Sequence, residues 1–236
     1  MTSTRRRNDE FLPPALFKFD HLERSVQEHL KKVYGTLSIS MIAAGVGAYV
    51  HLFTGLMRAS FLTSLASIGL MIWLALTHHS KETQMKRMAI FTGFTFFSGM
   101  SLGPVMDWVI DIDPSIISTA FMATTVIFVS FSLAALYNKD RTFLYMGGFL
   151  MSGLSWLILL GFMNIFFQSQ MIWDFYLHVG LLIFCAFVLY DTQLIIEKKR
   201  NGDDDFIWHS VDLFLDFINI FRKLMIILGK KEKKKE

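Results

Sequence analysis

Three carboxylates occupy stretches where a carboxylate is costly. Asp191 sits in FCAFVLYDTQLII, and Asp212 and Asp216 sit in FIWHSVDLFLDFINIF. Both stretches are otherwise apolar enough to enter a bilayer. An ionised carboxylate in hydrocarbon is expensive unless it is paired, hydrated or protonated, so intramembrane acids tend to mark ion paths or proton sites. Asp212 and Asp216 are four residues apart and share one helix face. Two carboxylates brought close in low dielectric do not readily both ionise, and such a pair titrates as a unit. That is the physical recipe for a proton-sensitive gate. The competing reading is structural: each acid is neutralised by a nearby base, with Arg222, Lys223 and Lys198 in reach along the chain.

Other chemistry-bearing residues give weaker signals. Asp107, Asp111, Asp113 and Asp174 fall in or near connections expected on one side of a membrane. Asp107 is a candidate for a pore mouth, since focused negative charge concentrates cations; ordinary solvated acids explain the group equally well. Asp203, Asp204 and Asp205 lack the spacing and the Glu of a calcium loop and read as a solvated turn and helix start. His78-His79 with Glu82 lacks the order of a zinc protease. Ser155 and His178 are a faint hint of intramembrane proteolysis, because small residue plus serine is a common packing pair. No phosphate-binding glycine loop or metal-spaced cysteines appear. Lys223, despite its place in a last apolar segment, has the wrong neighbours for a retinal site. No enzyme activity and no cofactor are expected.

The elements that must hold these acids are membrane helices. The chain is 53% hydrophobic with 24 Phe, and only 18% charged. A soluble domain carries roughly 25% charge. A spanning helix needs about 20 mostly apolar residues. Runs near Val33–Phe53, Phe61–Leu76, Met88–Ile110, Ile116–Tyr137, Phe143–Phe167 and Met171–Ile195 qualify. A seventh, near Phe206–Leu228, carries His209, Asp212, Asp216, Arg222 and Lys223. The expected fold is all-α: a polytopic bundle of six transmembrane helices plus a central seventh helix, crossing or re-entrant. The division is an amino-terminal segment over 1–32, a bundle over 33–228 and a lysine-rich tail over 229–236. Gly103-Pro104 inside the third run is expected to kink it. Ala43, Ala44, Gly45, Gly47 and Ala48 in the first run, and Gly147, Gly148, Ser152 and Gly153 in the fifth, should let helices approach closely.

Basic residues alternate between connections. Arg5, Arg6, Arg7, Lys31 and Lys32 precede the first run, and Lys81, Lys86 and Arg87 follow the second. Lys139 and Arg141 follow the fourth, and Lys198, Lys199 and Arg200 follow the sixth. The connections between these carry Arg58 alone. The positive-inside rule then puts the amino-terminal side in the cytosol. Nothing in the first thirty residues resembles a removable signal peptide, so the first span should act as its own insertion signal. The single Cys185 lies in a span and reads as a small buried hydrophobe. No basic-aromatic stripe suggests nucleic acid. The partner these features imply is the lipid bilayer.

SGMSLGPVMDWVI, STAFMATTVIFVSFSLAALY, FVLYDTQLIIE and IWHSVDLFLDFINIFRKLMIIL together resemble the Bax inhibitor-1 family, over about Gln27 to Gly229. The resemblance implies a bundle with the last helix in its middle, a pH-sensitive calcium leak, residence in the endoplasmic reticulum and protection against cell death. The family's gating pair falls on Asp191 and Asp216; Asp212 matches vertebrate relatives but not bacterial ones. Bacterial members also use an arginine at the end of the second helix, where this chain reads LALTHHSKE. His79, Lys81 or Arg87 are the available substitutes for that latch. Lys233 and Lys234, fourth and third from the last residue, resemble a dilysine retrieval signal, which works in the cytosol and favours a returning seventh segment. The contrasting function is an interaction protein that regulates cell death by binding other membrane proteins, with ion flux secondary.

Overall fold

A computed structural model describes residues 22–54, 60–138 and 141–235. Arg5, Arg6, Arg7, Arg58 and Lys139 lie outside the described residues. The described elements are helical throughout: α1 Arg24–Thr54, α2 Ser60–Leu76, α3 Gln84–Ser101, α4 Gly103–Ile110, α5 Ser115–Tyr137, α6 Gly147–Phe167, α7 Gln170–Arg200 and α8 Phe206–Lys233, with a short 3-10 helix, Thr142–Met146, leading into α6. Five of these spans are long and apolar enough to cross a membrane, α3 and α4 counting as one. The second predicted run is α2, a shorter apolar helix of 17 residues.

The expected kink at Gly103-Pro104 is a break. Pro104 sits in the first turn of α4, where its missing N–H is not needed, and α3 ends at Leu102. Gly103 has a second reason to lack a side chain, because a Cβ there would overlap the His51 ring of α1. The small residues of α1 act on one face. A Cβ at Gly47 would collide with the Phe96 carbonyl, and one at Gly99 with the Ala44 carbonyl, so α1 and α3 meet backbone to backbone. Gly45 faces open space instead.

Helix α8 is the axis of the bundle. It packs against α1, α3, α4, α5 and α7, whereas α2 leans on α3 and α6 on α7. Its Ile207, Val211, Leu213, Phe214, Ile220 and Met225 are fully buried. The aromatic rings of Phe91 and Phe94 close edge-on over Phe214, and those of Phe121 and Phe128 over Phe217.

Helices α1 and α8 start together and run parallel. At the end where they start, here the proximal end, His29 Nε2 lies 2.9 Å from His209 Nδ1, and the Ser210 hydroxyl donates to the Val33 carbonyl at 3.0 Å. At the distal end Gly229 packs under Trp108 and Lys230 pairs with Asp174. Helix α8 is unbroken over its 28 residues, about 42 Å of helix. It therefore runs through the bundle and does not return, and the start of α1 and the lysine tail emerge at opposite ends. Of α8's polar residues, His209, Ser210, Asp216 and Lys223 are buried against neighbouring helices.

Candidate functional site

The seam between α7 and α8 carries the acids. Asp216, 3% exposed, points from the middle of α8 at α7. Asp191, near the proximal end of α7, meets it carboxyl against carboxyl. Two carboxyl groups can bond one another only through a proton held between them. Asp216 Oδ2 is buried without a hydrogen-bond partner. Helical spacing bears only on Asp212 and Asp216; pairing Asp191 with Asp216 is what the family resemblance implies, and both fall where α7 and α8 pack.

Asp212, one turn proximal, stands 4.0 Å from the Lys198 ammonium. The structural reading therefore holds for Asp212 and not for the pair. Arg222 is exposed, and Lys223 turns to an aromatic wall. One residue on from Asp191 in the chain, the Thr192 hydroxyl converges with those of Tyr34 and Ser132, from α7, α1 and α5. None of the three has a close, well-aligned partner. Sequence reasoning missed this cluster, because hydroxyls in apolar spans are too common to single out.

The latch substitutes lie elsewhere than expected. Arg87 is 3% exposed and grips Asp205 with both terminal nitrogens, NH1 to Oδ1 and NH2 to Oδ2, each at 2.7 Å. His79 Nδ1 lies 2.9 Å from Arg87 NH1 and 3.6 Å from Asp205. Asp205 also caps α8, accepting from the Trp208 N–H at 3.1 Å. Burial opposes ionisation of the Asp205 carboxyl, but the Arg87 bond and the Trp208 N–H outweigh it and hold the group below the usual carboxylate range. Arg87 and His79 thus clasp the proximal end of α8 and do not touch the aspartate pair. Lys81 lines a cavity of about 420 Å³ at that end with His29, His79, Lys32 and Lys199. The reading of Asp205 as a solvated turn residue is corrected: the signal was the N-cap position, and its long-range partner was not visible.

At the distal end Asp107 accepts from His51 at 3.2 Å. Asp113 caps α5 through the Ser115 N–H and hydroxyl, each at 2.8 Å, and these bonds hold its carboxyl below the usual range. Asp174 pairs with Lys230. The acids expected at one mouth do share one end of the bundle, but these three are engaged in local bonds. Lys233 and Lys234 border a cavity there with Trp108 and His178.

Lys223 is the residue sequence reasoning dismissed. It is 4% exposed, and its ammonium lies 4.0 Å from the Tyr176 ring centre and 5.5 Å from that of Phe184. Gly180 of α7 leaves the room, since a Cβ there would overlap the lysine side chain. No ion pair engages it among the described residues. The described residues also hold no group of three or more His, Cys, Asp or Glu placed to bind a metal.

Comparison with known proteins agrees with this arrangement. Residues 26–233 match the family model described as "Inhibitor of apoptosis-promoting Bax1". The chain is 56% identical over 224 residues to "Probable Bax inhibitor 1" of Paralichthys olivaceus and 52% identical over 224 residues to "Bax inhibitor 1" of Homo sapiens, covering 94% of both chains in each case. It is 43% identical over 223 residues to "Bax inhibitor 1" of Arabidopsis thaliana, covering 94% of this chain and 89% of the plant protein. A match of this extent, carried by a helical membrane bundle with acids at its axis, assigns the chain to the Bax inhibitor 1 family.

Proposed function

We propose that this protein is a pH-sensitive calcium leak of the endoplasmic reticulum membrane that restrains cell death, with Asp191 and Asp216 as its gate. The observation that carries the reading is a carboxyl pair at the axis of a membrane bundle, one member fully enclosed and left with an unpartnered oxygen. With one proton between them the carboxyls join α7 to α8. Without it, two like charges face each other in a low-dielectric seam, where repulsion is strong. The seam therefore has two states that differ by a proton, and an ionised pair also offers oxygen ligands of the kind a hard cation takes. Lys198 beside Asp212 and the Arg87–Asp205 clasp lie on the proximal side of this gate. The test is calcium flux from liposomes holding the purified protein, measured against pH. Asp216→Asn and Asp191→Asn should each flatten the pH response; a full response in both variants would remove the pair from the mechanism.

For orientation we favour a cytosolic proximal end. It collects Arg24, Lys31, Lys32, Lys86, Lys198, Lys199 and Arg200, as the positive-inside rule asks. The lysine tail then faces the lumen, and Lys233 and Lys234 cannot act as a cytosolic retrieval signal. Residence in the endoplasmic reticulum rests on the family resemblance instead.

A second reading, regulation of death-controlling membrane proteins by direct contact, is favoured by α6. Among the α-helices that helix packs chiefly on α7, and it presents Phe149, Trp156, Phe162 and Phe166 outward. Loss of cell protection with an unchanged calcium leak, on substituting these residues, would favour contact over flux.

A further inference from the structure

Helices α1 and α5 each pack on α8 but make little or no contact with one another. Between them lies a cleft of about 520 Å³. Its floor is α8, through Phe214, Phe217 and Phe221, and its walls are Ala44, Gly45 and Ala48 of α1 and Ile117 and Phe121 of α5. The lining is almost wholly carbon. Of its two hydroxyls, that of Ser118 is spent on the Ser115 carbonyl of its own helix at 2.9 Å, and the other belongs to Tyr49 at the half-exposed rim. The cleft's floor on α8 offers no polar side chain to a head group or an ion.

The length of the cleft identifies what fits it. On α1 the lining runs from Met41 to Leu52, about 16 Å of helix. That matches one leaflet's share of a hydrocarbon core about 30 Å thick. The distal limit is Leu52 and Pro114, at the ends of the helices, and the inner limit is near Phe214 and Ile218 at mid-bundle. The rim residues Tyr49 and Phe121 are half exposed and continuous with outward-facing Ile42 and Val126. The surrounding medium at this depth is lipid.

We propose that this cleft is a side portal occupied by one acyl chain of a distal-leaflet lipid, which enters between α1 and α5 and lies against α8. The occupant is a hydrocarbon chain aligned with the bilayer normal, its head left outside at the level of Pro114. The chain then touches Phe217, the neighbour of Asp216, so lipid reaches the axial helix directly. The inference does not depend on whether the seam conducts calcium.

The test uses the full chain in phosphatidylcholine vesicles doped with a phosphatidylcholine whose acyl chain ends in a diazirine. After illumination, adducts are mapped by mass spectrometry. Adducts on Phe217 and Phe221 are expected alongside those on Ile42 and Val126. Adducts confined to outward residues would overturn the proposal. So would a disulfide between two copies of a Gly45→Cys variant, formed on oxidation in the same vesicles, in place of lipid adducts. A second variant guards the result. Gly45→Trp fills the cleft, and because a Cβ at Gly45 meets nothing within 4 Å, the helix tolerates it. It should abolish the Phe217 and Phe221 adducts while leaving those on Phe162 and Phe166 of α6 unchanged. Persistence of the α8 adducts in a variant that elutes as wild type would show that lipid reaches α8 by another route and would sink the portal.

Discussion

Asp205 and Asp216 show how two aspartates on one helix separate by environment. Asp205 lies at the turn, capped by a backbone N–H and gripped by a buried arginine. Its folded value is depressed, so the clasp contributes stability above the ordinary carboxylate range, near pH 4, and loses it as pH falls through the depressed value. The melting difference between wild type and Asp205→Asn in detergent should therefore be constant from pH 8 to pH 5.5 and shrink only in stronger acid. A difference that vanishes between pH 7 and pH 6 would contradict this. Arg87→Ala leaves Asp205 half-buried without its cation and should cost about 3 kcal/mol by denaturation, since breaking one side of a buried pair is worse than removing both. Lys223 goes the other way. Desolvating an ammonium costs several kcal/mol, and the Tyr176 and Phe184 rings return about 2 kcal/mol at most. Lys223→Met should leave the melting temperature unchanged or raise it. A fall would mean the lysine has a partner that the ring contacts do not supply. Of these residues, the acids were legible as misfits in apolar runs. Their partners were not, because Arg87 and Asp205 are 118 positions apart.

At the scale of elements, helix existence followed from length and apolarity, and helix pairing from small residues in one instance. Gly47 and Gly99 set the α1–α3 separation through contacts with backbone, which cannot rotate away. Gly99→Val should therefore destabilise strongly, by more than the 1–3 kcal/mol typical of overpacking that side chains can absorb. Gly45→Val, into open space, should have little effect on the melt. Equal effects of the two would mean that α1 and α3 do not pack as described. Sequence pattern put both glycines of α1 in one packing stripe; which one met a helix and which met a cleft depended on the neighbour's position. The last helix is a case the pattern left open. Its two acids, histidine and lysine allowed crossing or re-entry, and in the fold His209, Asp216 and Lys223 are buried while Asp212 stays partly exposed beside Lys198. Composition averages around a helix and does not see which face is covered.

For the molecule as a whole, the unbroken α8 puts the start of α1 and the end of the described chain at opposite ends of the bundle. A glycosylation acceptor added after Lys235 should be modified in microsomes if the proximal end is cytosolic, and one placed in the Asn201–Asp205 turn should not. The reverse pattern would invert the orientation and restore Lys233 and Lys234 to the cytosol. Composition and run length alone determined that this is a helical membrane bundle, and the costly placement of Asp191 and Asp216 marked them as the residues to explain. Both follow from the free energy of putting groups into hydrocarbon, which is a property of each residue and its immediate neighbours. The partner of Arg87, the hydroxyls that converge at Thr192, the aromatic wall of Lys223 and the cleft at Gly45 were decided only in three dimensions. Each depends on which faces of distant helices meet, and between apolar helices that choice is made by shape and close packing, which leave little trace in the linear pattern.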